Sequence, residues 1–377
     1  MAFTTVDKPS AHFDTKIYAG SSSAVSVSGV GFKPDVVITK DRTEAHAFGV
    51  YDSNRGIKKW LKWSSAQSQN NAQDVTNTID ASLTSFNSDG FTIATMSSDP
   101  IGNKNGNQFV SWMWKMNGGT TTSNGAGSNG ASIASVYQAN TTAGQSIVTY
   151  DGTGTAGTIK HGLSVTPKLI MIKNLVEGRE WQVGHFGTTH TSDPETDGLL
   201  ITASPVADES TYFNDTAPTS TVFSVGTHLQ ANTSDSSSKY VAYCFAETKG
   251  YSKIGTYTGT GNANGAFAFC GFRPRMVFLT RYSGGNAHWV IKDSARTETV
   301  RDGNAGIGPR ANPTEQGLYP SNGIAENTNA PDMDFYANGF KLRDTDGDTN
   351  TANAIYIYYA VADMPLVGTN GTIALAL

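Results

Sequence analysis

Two tetrapeptides put a carboxylate three residues before a guanidinium at distant points of the chain, Asp52-Ser53-Asn54-Arg55 and Asp293-Ser294-Ala295-Arg296. The planar fork of arginine matches a carboxylate, so each pair can brace its own loop. The same fork could instead grip a sugar or a ligand carboxylate, which keeps Arg55 and Arg296 as candidate ligand contacts. A second candidate is Lys58-Lys59-Trp60-Leu61-Lys62-Trp63, where aromatics three apart beside lysines would line one side of a short helical turn. Tryptophan stacks on sugar faces and attracts cations, so Trp60 and Trp63 are the first choice for a ligand- or partner-contacting patch. The alternative is that both rings cap the edge of the first folded unit.

Metal and cofactor chemistry find less support. Asp344-Thr345-Asp346-Gly347-Asp348 resembles part of a calcium loop, because hard cations want oxygens at alternating positions. Where an EF-hand would place its bidentate glutamate stands Ile355, and Asp346-Gly347 is a good turn without an ion. Asp344, Asp346 and Asp348 are thus a calcium candidate set against a plain surface loop. His185, His190 and Asp193 are close in sequence, but histidines five apart share no helix face and the stretch does not read as helical. His185 aligns with Asp52 and Asp293, which favours a loop-anchoring hydrogen bond. Gly152-Thr153-Gly154-Thr155-Ala156-Gly157 fits a dinucleotide fingerprint, yet strand-like residues follow where a helix is needed, so the expectation is a glycine turn. No cofactor is expected.

Catalysis is not expected either. Glycoside cleavage needs two facing carboxylates. No acidic pair recurs at aligned strand ends, and no G-x-S-x-G motif occurs. The net charge is −5 and no basic stripe stands out, so nucleic acid has no electrostatic footprint. The first residues lack a basic and apolar leader, and no apolar run reaches a membrane span. Synthesis in a cytoplasm without membrane insertion is the expectation. Cys244 and Cys270 are too few for a disulfide framework, and two buried thiols are favoured over one bridge.

The elements that position these residues come in three copies. A glycine, a proline and an apolar run recur at Gly31 to Pro34, Gly162 to Pro167 and Gly271 to Pro274, with the proline where a strand begins. An aromatic strand follows 14 or 15 residues after each proline, at Phe48, Trp181 and Trp289. A hairpin arm follows at Phe91, Phe223 and Phe340, preceded in two copies by Asp89-Gly90 and Asn338-Gly339, pairs that tolerate positive φ in tight turns. Each copy closes on an aromatic strand carrying Val110, Trp112 and Trp114, then Val241, Tyr243 and Phe245, then Ile357, Tyr359 and Val361 on one face. Side chains alternate across a strand, so that bulky face is expected to point into the copy's own sandwich. Forty glycines and only 16% charged residues fit an all-β protein rich in turns.

The expected organisation is an attachment segment at residues 1–13, three tandem jelly-roll-like β-sandwich repeats at 14–116, 146–248 and 249–365, and a flexible linker at 117–145 rich in Gly, Ser, Thr and Asn. An apolar tail at 366–377 would dock on a neighbouring subunit through Ile373, Leu375 and Leu377.

Landmarks over nearly the whole chain resemble the repeated domains of tail-fibre-like virion proteins of marine tailed bacteriophages. They are residues 13–18 and 31–40, Asp52-Ser53-Asn54-Arg55-Gly56, residues 85–91 and 240–247, Gly250-Tyr251-Ser252-Lys253, and Gly271-Phe272-Arg273-Pro274. The resemblance implies a virion location, a lectin-like sandwich and homotrimeric assembly. The expected function is a virion structural protein, a tail-fibre or tail-tip component that contributes to host-surface recognition, with other virion proteins and a host-surface glycan as partners. A capsid decoration protein, a free lectin and a polysaccharide-degrading enzyme are the competing readings.

Overall fold

The computed structural model describes residues 4–71, 82–95, 100–188, 193–202, 207–234, 238–283, 285–296, 316–327, 331–365 and 367. It is all-β with antiparallel sheets, Ile133 and Ile159 forming an isolated parallel bridge, and the described residues add only two single-turn 3₁₀ segments, Pro9–Ala11 and Ser294–Arg296. The three copies follow one path. In the first, the opening strand Phe13–Ala19 leads to a crossing strand Val25–Val27, a proline-led strand Val36–Asp41 and an aromatic strand Gly49–Asp52. The hairpin Leu83–Asn87 and Gly90–Ile93 then returns to the closing strand Gln108–Trp114. Opening, closing, proline-led and aromatic strands lie side by side in that order, and the crossing strand pairs with the hairpin arm in a smaller sheet. The last strand thus lies beside the first, as in Greek-key sandwiches.

Copies two and three repeat this order. Their closing strands, Lys239–Ala246 and Ile355–Pro365, sit between the openers Gln145–Asp151 and Ser252–Thr258 and the proline-led strands Pro167–Asn174 and Phe272–Arg281. Register makes the equivalence residue by residue. Trp112 faces Thr15 and Ile38, Tyr243 faces Ile147 and Met171, and Tyr359 faces Ile254 and Phe278. Pro274 falls at a register shift in its strand, where a missing amide costs nothing.

Within each copy the two sheets face each other over a core of their own. In the first it holds Val37, Tyr51, Leu83, Phe91, Ile93 and Met113. The side chains that the closing strands turn into these sandwiches are Met113, then Ala242 and Cys244, then Tyr358 and Ala360. The bulky faces go the other way, which corrects the sequence expectation. Trp112, Trp114, Tyr243, Phe245, Tyr359 and Val361 meet in a fourth core shared by all three copies. Phe245 stands 4.9 Å from Tyr359 and 6.1 Å from Trp114, ring centre to ring centre. A sequence reports which face of a strand is larger but not what covers it. Three sheets converging on one axis leave a space only the largest side chains fill, whereas inside a sandwich the phenylalanine of the hairpin arm already occupies much of the gap.

The hairpin glycines also act otherwise than expected. Asn87 pairs with Gly90 and Tyr336 with Gly339, so each glycine opens a strand rather than centring a turn. A Cβ on Gly90 would lie 1.9 Å from the Val27 carbonyl oxygen, and one on Gly339 would lie 2.1 Å from that of Ala268. Close approach of the crossing strand demands glycine at both places.

The stretch expected to be a flexible linker is structured. Thr122–Asn124 and Ser135–Asn140 add two strands to the outer edge of the second large sheet, with Val136 opposite Thr149 and Gln138 opposite Ile147. Its polar, β-tolerant Thr and Ser residues find backbone partners in that exposed edge, which composition alone does not reveal. At the other end, Val6 and Phe13 belong to the shared core, and the Thr4 hydroxyl donates to the Lys249 carbonyl at 2.8 Å. The first described residues therefore lie over the junction of copies two and three. Ile373, Leu375 and Leu377 lie outside the described residues.

Candidate functional site

Where the copies meet, equivalent positions contact one another in a ring. The Tyr243 hydroxyl of copy two donates to Asp52 of copy one at 2.6 Å, and the Trp112 indole N–H of copy one donates to Asp293 of copy three at 3.1 Å. The Trp181 N–H donates to the Lys62 carbonyl of copy one at 2.8 Å, and the Trp289 N–H to the Leu200 carbonyl of copy two at 2.9 Å. Each copy thus reaches back to its predecessor, and the first reaches the third.

The two Asp–Arg units have one geometry. Arg55 Nε donates to Asp52 at 2.5 Å and its Nη2 to the Val50 carbonyl at 3.1 Å; Arg296 Nε donates to Asp293 at 2.6 Å and its Nη2 to the Ile291 carbonyl at 3.0 Å. Both arginines are buried and brace their loops. The third arm of the fork differs. Arg296 Nη1 donates to Glu326 at 2.9 Å, and Glu326 also accepts Arg42 Nη2 of copy one at 2.9 Å. Burial alone would raise the Glu326 carboxyl, but Arg296 and Arg42 outweigh it and hold the group below its ordinary range. Arg55 Nη1 instead donates to the neutral Gln69 amide at 3.1 Å.

At the seam between copies two and three the pair is replaced. His185 stands at the Asp52 position, and three residues on is Thr188 rather than arginine. The ring is buried, its Nε2 lies 3.5 Å from the Tyr358 carbonyl, and its Nδ1 makes no hydrogen bond. Burial pushes its pKa down to about 4, so it is neutral. His185 anchors the loop only weakly; His190 lies outside the described residues. The Tyr359 hydroxyl, beside the Trp114 indole, also lacks a well-formed hydrogen bond. An apolar cavity of about 20 Å³ lies among Trp114, Trp181, Tyr243, Phe245, Phe278 and Tyr359 at the centre of the shared core.

The tryptophan patch is not a surface. Lys59–Lys62 is a strand, not a helical turn, so Trp60 and Trp63 point to opposite faces. Trp60 enters the first sandwich; Trp63 enters the shared core and stacks on Phe278 of copy three at 5.1 Å and 18°. The aspartates 344, 346 and 348 do not converge. Asp344 accepts the Asp332 amide, Asp348 accepts the His288 amide at 2.8 Å, and the Asp346 carbonyl accepts the Asn350 amide at 2.7 Å. They brace the loop before the closing strand. Among the described residues the one cluster with metal-ligand spacing is Asp41, Glu44 and His46. Asp41 there already accepts the Thr43 amide, the Asn107 side chain and His46, and Glu44 is paired with Lys104. Cys244 and Cys270 are free thiols in different sandwiches, both pushed up to about 12 by burial.

An open groove of about 850 Å³ lies between copies one and two. One wall is Asn54, Lys59, Ser68 and Gln69; the other is the added edge, with Ser123, Ala134 and Val136, and the rim carries Leu175, Val176 and Lys239. The walls are tied together. Asn54 donates to the Val136 carbonyl and the Thr149 hydroxyl, both at 3.0 Å, Gln138 donates to Ser53 at 2.9 Å, and the Gln69 amide donates to the Leu175 carbonyl at 2.9 Å. Arg55 lines the groove beside Gln69, with its fork held by Asp52 and the Gln69 side chain. Sequence reasoning found Arg55 but not the groove, because one wall of it is built from the stretch taken for a linker.

A family model described as a domain of unknown function (DUF7483) matches residues 8–365. No curated protein and no solved structure matches the chain.

Proposed function

The chain belongs to the DUF7483 family, and we propose, from the likeness of its repeats to tail-fibre-like virion domains, that it is a bacteriophage virion component, a tail-fibre or tail-tip element that contributes to host-surface recognition. The observation that supports this most is the ring of three sandwiches locked over one core by Trp112, Tyr243 and Tyr359. Such a body commits its aromatic and charged chemistry to rigidity and leaves a polar groove and outward sheets for contact. The family model spans all three copies, so the closed ring rather than the single sandwich is the unit. The groove is also lined by Asp151, the one carboxylate among its lining residues, paired with Lys239 at 2.9 Å, whereas glycoside cleavage takes two. The role proposed for the groove is binding.

Purified particles labelled with gold-coupled antibody against the chain test this reading. Label on tails is the expected result, and particles without the protein overturn it. Label on heads supports a capsid decoration role, which the threefold-like ring also favours because capsid lattices carry threefold positions. Sedimentation of the purified chain measures the homotrimer that the resemblance implies.

A further inference from the structure

The polar groove between the first and second copies has no counterpart required by the repeat. It exists because two strands, Thr122–Asn124 and Ser135–Asn140, extend the second sheet alone. We propose that this groove is an oligosaccharide-binding site. The inference deepens the host-recognition reading and rests on it for its biological sense, though not for its chemistry.

Three properties carry it. The first is size: about 850 Å³, open along the surface, is within the range of preformed ligand sites and has room for several sugar rings. The second is rigidity. The amide stitches from Asn54, Gln69 and Gln138 fix both walls before any ligand arrives, so little ordering cost remains on binding. The third is chemistry. Ser68 and Ser123 offer hydroxyls that both donate and accept, and Lys59 and Asp151 add a donor and an acceptor, as vicinal sugar hydroxyls require. Val136, Leu175 and the 44% exposed Val176 give an apolar strip for the C–H faces of the rings. A polyanion is disfavoured, since of the groove's cations Arg55 is balanced by Asp52 and Lys239 by Asp151, which leaves Lys59. An extended peptide would have to pair with the edge strand Thr122–Asn124, which is only three residues long.

The test uses the full chain on an array of defined oligosaccharides of about three to six sugars, neutral and uronic-acid-bearing, a size range set by the groove volume. Ala134→Trp fills the groove from an exposed position, and Val176→Glu charges its apolar rim. Ser26→Trp, on the smaller sheet of copy one, is the control. Expected is binding of at least one oligosaccharide that falls about tenfold or more in both groove variants and is unchanged in the control, with melting temperatures preserved. No binding across the array, binding indifferent to both groove variants, or capture of extended peptides in place of sugars overturns the proposal. Particle labelling is independent. Particles that carry the protein while the groove stays inert sink only this inference, whereas groove binding by a protein absent from particles sinks only the virion reading.

Discussion

Tyr243 of the second copy and Asp52 of the first share a hydrogen bond of 2.6 Å, and this contact between buried groups ties two sandwiches to each other. Its equivalent at the next seam is the indole of Trp112 on Asp293. At the third seam Tyr359 has the same place in register but meets no acid. The three seams are therefore alike in shape and unequal in polar content.

That inequality is measurable. Tyr243→Phe leaves the buried Asp52 short of one donor and should lower stability by about 1–3 kcal/mol. Tyr359→Phe removes a hydroxyl with no well-formed partner and should change stability by less than about 0.5 kcal/mol. Denaturant unfolding of both variants checks this, and equal losses would contradict the account of the seams.

Arg296 carries more than Arg55. Removing it leaves buried Asp293 without a cation and buried Glu326 with Arg42 alone, so Arg296→Met should cost about 3–5 kcal/mol. Arg55→Met strands Asp52 alone and should cost less. Thermal melting of the two variants side by side decides.

Three sandwiches with separate cores would be free to melt separately, as multidomain chains commonly do. Here the largest aromatics of all three belong to one interior, so differential scanning calorimetry should show a single cooperative transition for the whole chain. Resolved transitions, or a well-folded fragment of residues 146–248 in isolation, would count against a common core.

His185 sets a pH dependence. Its folded pKa of about 4 lies below the ordinary 6.5, so the unfolded chain takes up the proton first as acid is added. Stability is full above about pH 6.5 and is lost as pH falls toward 4, by on the order of 3 kcal/mol for this one residue. His161, also pushed down to about 4 by burial, adds a loss of the same sign. His185→Gln should flatten the stability profile between pH 4 and 6.5, which urea titrations at several pH values will show.

Cys244 and Cys270 should be inert to thiol reagents in the native protein and react only on unfolding, since the thiolate is the reactive form. Fast labelling at neutral pH would mean that the sandwiches open.

The repeats were legible because their signals are local. Glycine-proline entries and alternating aromatics fix strand positions, and the register of Trp112, Tyr243 and Tyr359 agrees with the alignment drawn from sequence. The Asp–Arg braces were legible for the same reason, since i to i+3 contacts need no knowledge of the fold. What lay across the seams was not. Nothing in Trp63 or Trp112 states that its neighbour is a different copy more than a hundred residues away. Trp60 and Trp63 were misread because helical and extended backbones give opposite meanings to a spacing of three.

A trimer of identical chains must repeat every change three times around its axis. A single chain that closes the same ring escapes this rule, and its copies differ: His185 stands in one where the other two carry an acid, and an extra pair of strands decorates the same one. The body can therefore present a unique face in an otherwise threefold frame. Its valency toward a surface is then one groove per chain, and any avidity must come from how many such chains a particle displays.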